Sequence, residues 1–106
     1  MPISEKPWGS FAAADYTQEQ WCRACLIDMN APGAAKTKAM CRLPIHEPDG
    51  TLNRNALGSA ASVLAGGRGG VDAPPEARRM AARKLMTAYR EAEMGPPESI
   101  RRMAGT

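Results

Sequence analysis

The sequence predicts a mainly α-helical fold: a small domain of three main helices with a short C-terminal helical turn. Apolar side chains recur every three or four residues in three segments, which is the spacing of a buried helix face. Each segment is bounded by residues that start or stop helices. We expect the helices at residues 18–29, 54–65 and 74–94. At most a short extended segment is expected near residues 40–46, because Pro44 lacks a backbone donor.

The chain is short enough to form one domain. It has 106 residues, and we assign residues 1–106 to a single small helical domain. Residues 1–7 are expected to be a flexible arm, because Pro2 and Pro7 cannot contribute to regular pairing.

The first predicted helix begins with a capping box. Thr17 and Gln20 have the spacing at which each side chain can bond the backbone of the other. The helical pattern then continues through CRACLID, residues 22–28. Asn30 and Pro32 follow and are expected to end the helix.

The second helix follows a turn and the third follows a glycine-rich hinge. Pro48-Asp49-Gly50 has the composition of a turn, and Asn53 or Asn55 is suited to cap the second helix. GGRGG, residues 66–70, ends it. The third helix begins near the prolines at 74 and 75, and it ends at the Gly-Pro-Pro of residues 95–97.

The positive charge lies mainly in the C-terminal half. The net charge is +3; residues 1–50 hold five basic and six acidic side chains, whereas residues 51–106 hold nine and five. A basic helix face is either simply solvated or contacts an anionic partner. We select four arginines, three of them on the third helix, as candidate partner-binding residues: Arg68, Arg79, Arg83 and Arg90.

A cysteine and histidine pattern is the sharpest chemical signal. Cys22, Cys25, Cys41 and His46 have a spacing from which three thiolates and an imidazole could form a tetrahedral zinc site. However, the first pair falls within a predicted helix, whereas zinc sites usually present such a pair from a tight turn. We therefore predict no cofactor and keep zinc at these four residues as the alternative.

Other chemistry has little support in the sequence. The chain has one histidine, no serine with an evident base partner and no paired carboxylates in an apolar setting, so we predict that it is not an enzyme. An odd number of cysteines argues against a disulfide framework and suits a reducing compartment. No apolar run approaches membrane-spanning length and no signal pattern is visible, so no membrane association is expected.

Four motifs carry a family resemblance: LPIHEPDGTLNRNAL, ASVLAGGRGGVDAP, ARRMAARKLMTAYR and GPPESI, spanning residues 43–100. With the upstream W-x-x-F-x-x-x-D-Y-T-x-E-Q-W segment, residues 8–21, they resemble a small domain of unknown function found in bacteriophage and prophage proteins. That domain often accompanies capsid-maturation proteases or other head-gene products. The protease module itself has no counterpart here.

The resemblance implies a non-catalytic interaction module that acts in virion head assembly, with phage structural or head-assembly proteins as partners. It further implies a location in the cytoplasm of the bacterial host or in the virion. The alternative is a small DNA- or RNA-binding accessory protein that uses the basic helix at residues 74–94. Whether the chain forms a homo-oligomer stays open.

Overall fold

The computed structural model describes residues 3–105, without the side chain of Arg68. The described chain divides after Ala56 into an N-terminal unit and a C-terminal unit. The elements are β1 (Ile3–Ser4), α1 (Gln18–Ala24), β2 (Cys25–Asp28), β3 (Cys41–Pro44), β4 (Leu52–Asn53), α2 (Arg54–Leu64), α3 (Pro75–Glu91) and α4 (Glu98–Gly105). Single 3₁₀ turns lie at Trp8–Ser10, Ala13–Asp15, Lys38–Met40 and Gly67–Gly69.

The prediction of a mainly α fold with three main helices is wrong. Within residues 3–105 the chain forms four α-helices, two two-stranded sheets and a disulfide, which makes a mixed fold. The extended segment expected near residues 40–46 is β3, but it is one of four strands. The C-terminal turn is a helix of two turns, α4.

The first helix is shorter than predicted because tertiary pairing overrides its helical pattern. α1 ends at Ala24, and Cys25 takes extended dihedrals, φ −86° and ψ 149°. The next residues pair with β3 in an antiparallel register, with Cys25 opposite Pro44 and Asp28 opposite Cys41. In β2 the backbone groups form hydrogen bonds to a neighbouring strand instead of within a helix. The spacing of apolar residues does not reveal this partner, because it lies elsewhere in the chain.

The start of α1 follows the predicted capping box. Gln20 N donates to Thr17 Oγ1 at 3.1 Å, and Thr17 N donates to Gln20 Oε1 at 2.8 Å. The rings of Tyr16 and Trp21 meet edge to face at 5.2 Å, which fixes the chain just ahead of the helix.

The N-terminal segment joins a small parallel sheet. In the segment expected to be a flexible arm, Ile3 and Ser4 pair with Leu52 and Asn53; residues 1 and 2 lie outside the described part. The carbonyl of Lys6 accepts from Asn53 Nδ2 at 3.1 Å. Residues 3–6 are therefore tied to the start of α2 by side-chain as well as backbone bonds.

The turn before β4 and the cap of α2 have the predicted chemistry. Gly50 N donates to the Glu47 carbonyl at 2.8 Å, and Gly50 has φ +93°, which favours glycine. Asn53 Oδ1 accepts from Ala56 N at 3.0 Å, so of the two candidate caps it is Asn53 that caps α2.

Each unit buries its own apolar residues. The N-terminal unit buries Tyr16, Cys22, Ala24, Leu26, Ile27, Cys41, Ile45, Leu52 and Ala56. The C-terminal unit buries Leu57, Ala60, Ala61, Leu64, Ala81, Ala82, Leu85, Ala88, Tyr89, Ala92 and Ile100. In the C-terminal unit α3 packs on α4.

Candidate functional site

Two of the predicted metal ligands meet in the N-terminal unit as a disulfide. Cys22 on α1 is bonded to Cys41, the first residue of β3, with their Cα atoms 5.3 Å apart. Both cysteines are buried. The expectation that the odd cysteine count argues against a disulfide is wrong here, because α1 and the β2–β3 sheet bring two of the three cysteines together.

A third potential ligand lies beside this pair. Asp28 ends β2 directly opposite Cys41, and its carboxylate oxygen and the two sulfurs all lie within 4.8 Å of one another. The ammonium of Lys36 bonds the carboxylate, and this hydrogen bond is the largest reason why the pKa of Asp28 is lowered. Sequence reasoning missed Asp28, since only strand pairing places it next to a cysteine that is distant in sequence.

The amide of Asn30 organises the surroundings of the two sulfurs. Its Nδ2 lies 3.3 Å from Cys41 Sγ, 3.6 Å from Cys22 Sγ and 2.7 Å from Asp28 Oδ1. Its Oδ1 accepts from Thr37 N at 3.0 Å, which holds the amide in place. Asn30 was predicted only to end a helix, and its position between these groups depends on the fold of residues 29–40.

Cys25 and His46 do not join this cluster. Cys25 is a free, half-buried thiol at the end of α1, and burial raises its pKa to about 12. His46 Nδ1 lies 3.5 Å from the carbonyl of Ala24, and the His46 carbonyl accepts from Tyr16 Oη at 2.6 Å. The four residues of the predicted zinc site are therefore not brought together as one set of ligands.

His46 lines a cleft at the surface of the N-terminal unit. The cleft has a volume of about 330 Å³ and is lined by Gln20, Arg23, Ala24, His46 and residues 47–50. Glu47 in its wall is only 4% exposed. One of its oxygens accepts from Asn53 Nδ2 at 2.9 Å. This carboxylate therefore forms a buried hydrogen bond to the start of α2, beneath the cleft.

The predicted basic face lies on α3 in the C-terminal unit. Arg79, Arg83 and Arg90 are exposed, on the side opposite the buried Leu85. Arg83 Nε donates to the carbonyl of Ala104 on α4 at 3.3 Å. The side chain of Arg68, the fourth candidate, lies outside the described part of the chain.

An exposed methionine lies at one edge of this basic face. Met80 is 51% exposed and lies at one side of the three arginines on the outer side of α3. On the other side of Arg79, α3 and α4 form a groove lined by Pro75, Arg78, Arg79 and Met103. Within residues 3–105, Arg78 Nε is buried there without a hydrogen-bond partner. The face therefore offers cationic donors next to an apolar contact.

Within residues 3–105, none of the helices combines the length and apolar character needed to cross a lipid bilayer. Comparison of the chain with protein-family models, with curated proteins and with solved structures finds no match.

Proposed function

We propose that this chain is a non-catalytic interaction module of bacteriophage or prophage origin that acts in virion head assembly through protein contacts. The phage assignment depends on the resemblance of residues 8–21 and 43–100 described above. The observation that supports an interaction role is the outer face of α3, where Met80 is 51% exposed beside the exposed Arg79, Arg83 and Arg90.

This face is suited to a partner that carries both acidic and apolar groups. Among residues 3–105, neither Arg79 nor Arg90 has an ion-pair partner, so their charges are available. Arg78 and Arg79 line the adjacent groove, which places positive charge where a partner carboxylate could lie. An exposed methionine supplies an adaptable apolar contact of the kind common at protein interfaces.

The alternative function is DNA or RNA binding through α3. The three exposed arginines span about 16 Å along the helix at 1.5 Å per residue, enough to reach several phosphates. Two observations favour a protein partner instead. Exposed Glu76 and Glu91 flank the arginines and would repel a phosphate backbone, and Met80 has no role in a phosphate contact.

The proposed partners are phage structural or head-assembly proteins, and the proposed location is the cytoplasm of the bacterial host or the virion. Homo-oligomerisation through the same face would place like charges opposite each other, so a distinct partner is the better fit.

The test measures binding of the purified chain to any capsid, portal and maturation-protease proteins whose genes neighbour its own, by biolayer interferometry. The triple variant Arg79→Gln, Arg83→Gln and Arg90→Gln is expected to abolish binding to one of them. Arg101→Gln with Arg102→Gln, two exposed arginines of α4 in the same unit, is the matched control and is expected to keep it.

Met80→Ser separates the two functions. A protein interface is expected to lose affinity with this change, whereas nonspecific DNA binding is expected to keep it. A DNA-binding role predicts that log K falls with log salt concentration with a slope to which the three arginines contribute up to about −2.7. Steep salt dependence on DNA together with no binding to any head protein would establish the alternative.

A further inference from the structure

We propose that Cys22, Asp28 and Cys41 form a binding site for a thiophilic divalent metal ion, tested here as Zn²⁺, when the Cys22–Cys41 disulfide is reduced. The site lies in the N-terminal unit and involves none of the residues of the α3 face. The proposal is therefore independent of the proposed function.

The positions of the three ligands are close to those that tetrahedral zinc requires. Zn–S bonds of about 2.3 Å place two thiolates about 3.8 Å apart and place a carboxylate oxygen about 3.6 Å from each sulfur. In the oxidised chain the sulfurs and the Asp28 oxygen already lie within 4.8 Å of one another. Once the bond is broken, the sulfurs need to separate by less than about 2 Å.

The backbone holds the three ligands from different elements. Cys22 is in α1, Asp28 ends β2 and Cys41 begins β3, with Asp28 and Cys41 directly opposite each other in the sheet register. Reduction leaves the sheet pairing of Asp28 and Cys41 in place. The ligands consequently do not have to be gathered from a flexible loop.

Asn30 is placed to support thiolates. Its Nδ2 points at both sulfurs, at 3.3 Å and 3.6 Å, and it also donates to Asp28 Oδ1. Amide donors stabilise the negative charge of thiolate and carboxylate ligands and fix their orientation. Asn30 is in turn held by Thr37, whose N and Oγ1 donate to its Oδ1.

The remaining positions around the ion are open to solvent. The ammonium of Lys36 bonds Asp28 Oδ2, and both side chains are partly exposed, at 43% and 29%. A metal ion that binds the Asp28 carboxylate would replace its ion pair with Lys36, and the ammonium of Lys36 would then be solvated by water. With three protein ligands, water completes the coordination, and two thiolates select Zn²⁺ or Cd²⁺ over Mg²⁺ or Ca²⁺.

The conversion of the disulfide into the zinc-bound dithiolate balances in electrons and protons. A dithiol reductant supplies two electrons and two protons, so that the S–S bond becomes two thiols and the reductant becomes a disulfide. Zn²⁺ then binds the two sulfurs, and both thiol protons pass to solvent. In a reducing compartment the metal would thus keep the link between α1 and β3 that the disulfide provides under oxidising conditions.

The first experiment compares the two redox states of the full chain. The protein is reduced with a phosphine, desalted without oxygen and titrated with Zn²⁺ against a chromophoric chelator. The reduced chain is expected to bind one ion and the oxidised chain none. Cd²⁺ is expected to give a thiolate charge-transfer band with the amplitude of two sulfurs. Equal zinc binding by both redox states would overturn the proposal.

Variants identify the ligands. Cys41→Ser is expected to abolish binding, and Asp28→Asn to weaken it at least tenfold. Asn30→Ala, which removes the supporting amide, is expected to weaken it by about 10- to 100-fold. Cys25→Ser is the matched control, since Cys25 lies outside the cluster, and it is expected to bind like the native chain. Loss of binding in Cys25→Ser, or unchanged binding in Asp28→Asn, would contradict the assignment.

A measurement on the native chain covers the case in which a variant does not fold. Prolonged alkylation of the reduced chain, mapped by peptide mass spectrometry, is expected to modify the buried Cys22 and Cys41 slowly, as the chain opens locally. Stoichiometric Zn²⁺ is expected to slow both modifications at least tenfold further. Zinc that leaves their modification rates unchanged would rule out the site.

Discussion

Replacing Asn53 with alanine tests the buried polar network at the start of α2 in the N-terminal unit. Asn53 is fully buried and uses both ends of its amide. Its Nδ2 donates to Glu47 Oε2 at 2.9 Å and to the Lys6 carbonyl at 3.1 Å. Its Oδ1 accepts from Ala56 N at 3.0 Å. One side chain therefore caps a helix, supports a buried carboxylate and ties down the N-terminal segment.

The expected cost of Asn53→Ala follows from these three contacts. Loss of the helix cap costs about 1 kcal/mol. Loss of the hydrogen bond to the buried Glu47 costs about 1.5–3 kcal/mol, because the carboxylate stays buried and its ion pair with Lys6 is long, at 4.0 Å. Loss of the partly buried bond to Lys6 adds about 0.5–1 kcal/mol. The free energy of unfolding should fall by about 3–5 kcal/mol, a large part of what a small protein has.

Asn55→Ala is the matched control. Asn55 is exposed, and its Nδ2 donates to the carbonyls of Glu5 and Lys6 at 3.1 Å and 2.9 Å. It contacts the same segment but neither caps α2 nor touches Glu47. Its loss is expected to cost about 1 kcal/mol or less.

Urea unfolding followed by tryptophan fluorescence measures this difference. Both tryptophans, Trp8 and Trp21, lie in the N-terminal unit, so the signal reports on the unit that contains Asn53. A double-mutant cycle with Glu47→Ala, which removes the acceptor, isolates the bond between the two side chains, with an expected coupling of about 1.5–3 kcal/mol. A cost below about 1 kcal/mol, or one equal to that of Asn55→Ala, would show that Asn53 does not stabilise Glu47 and the start of α2.

Three further predictions concern the core, the disulfide and alkaline pH. Leu85→Ala, at a fully buried position of α3, should lower the free energy of unfolding by about 2–5 kcal/mol in calorimetry. Reducing the Cys22–Cys41 bond, which closes a loop with a sequence separation of 19, should cost about 3 kcal/mol in metal-free urea titrations. Burial raises the pKa values of Cys25 and Tyr16 from 9.0 and 10.0 to about 12 each. The unfolded chain therefore loses these protons first, and stability should fall as pH rises from about 9 towards 12; Cys25→Ala should flatten this decline.

Features that depend only on neighbouring residues could be predicted from the sequence. The capping box at Thr17, the turn at Gly50 and the cap at Asn53 are confirmed, because each needs only a short side chain or a glycine within a few residues. The outward position of Arg79 on α3 follows from helical periodicity in the same way. Residues a few positions apart are sufficient to predict caps and turns, and the helical repeat is sufficient to predict which face of a helix is exposed.

Tertiary structure alone decided where strands form and which cysteines meet. Cys25 and its neighbours in β2 carry a helical pattern, yet they pair with a strand that begins 13 residues after β2 ends. That pairing places Asp28 opposite Cys41 and beside Cys22, whereas Cys25, the nearer cysteine in sequence, stays unpaired. Strand partners are selected by contacts between distant segments, whose free energy is absent from any local window of sequence.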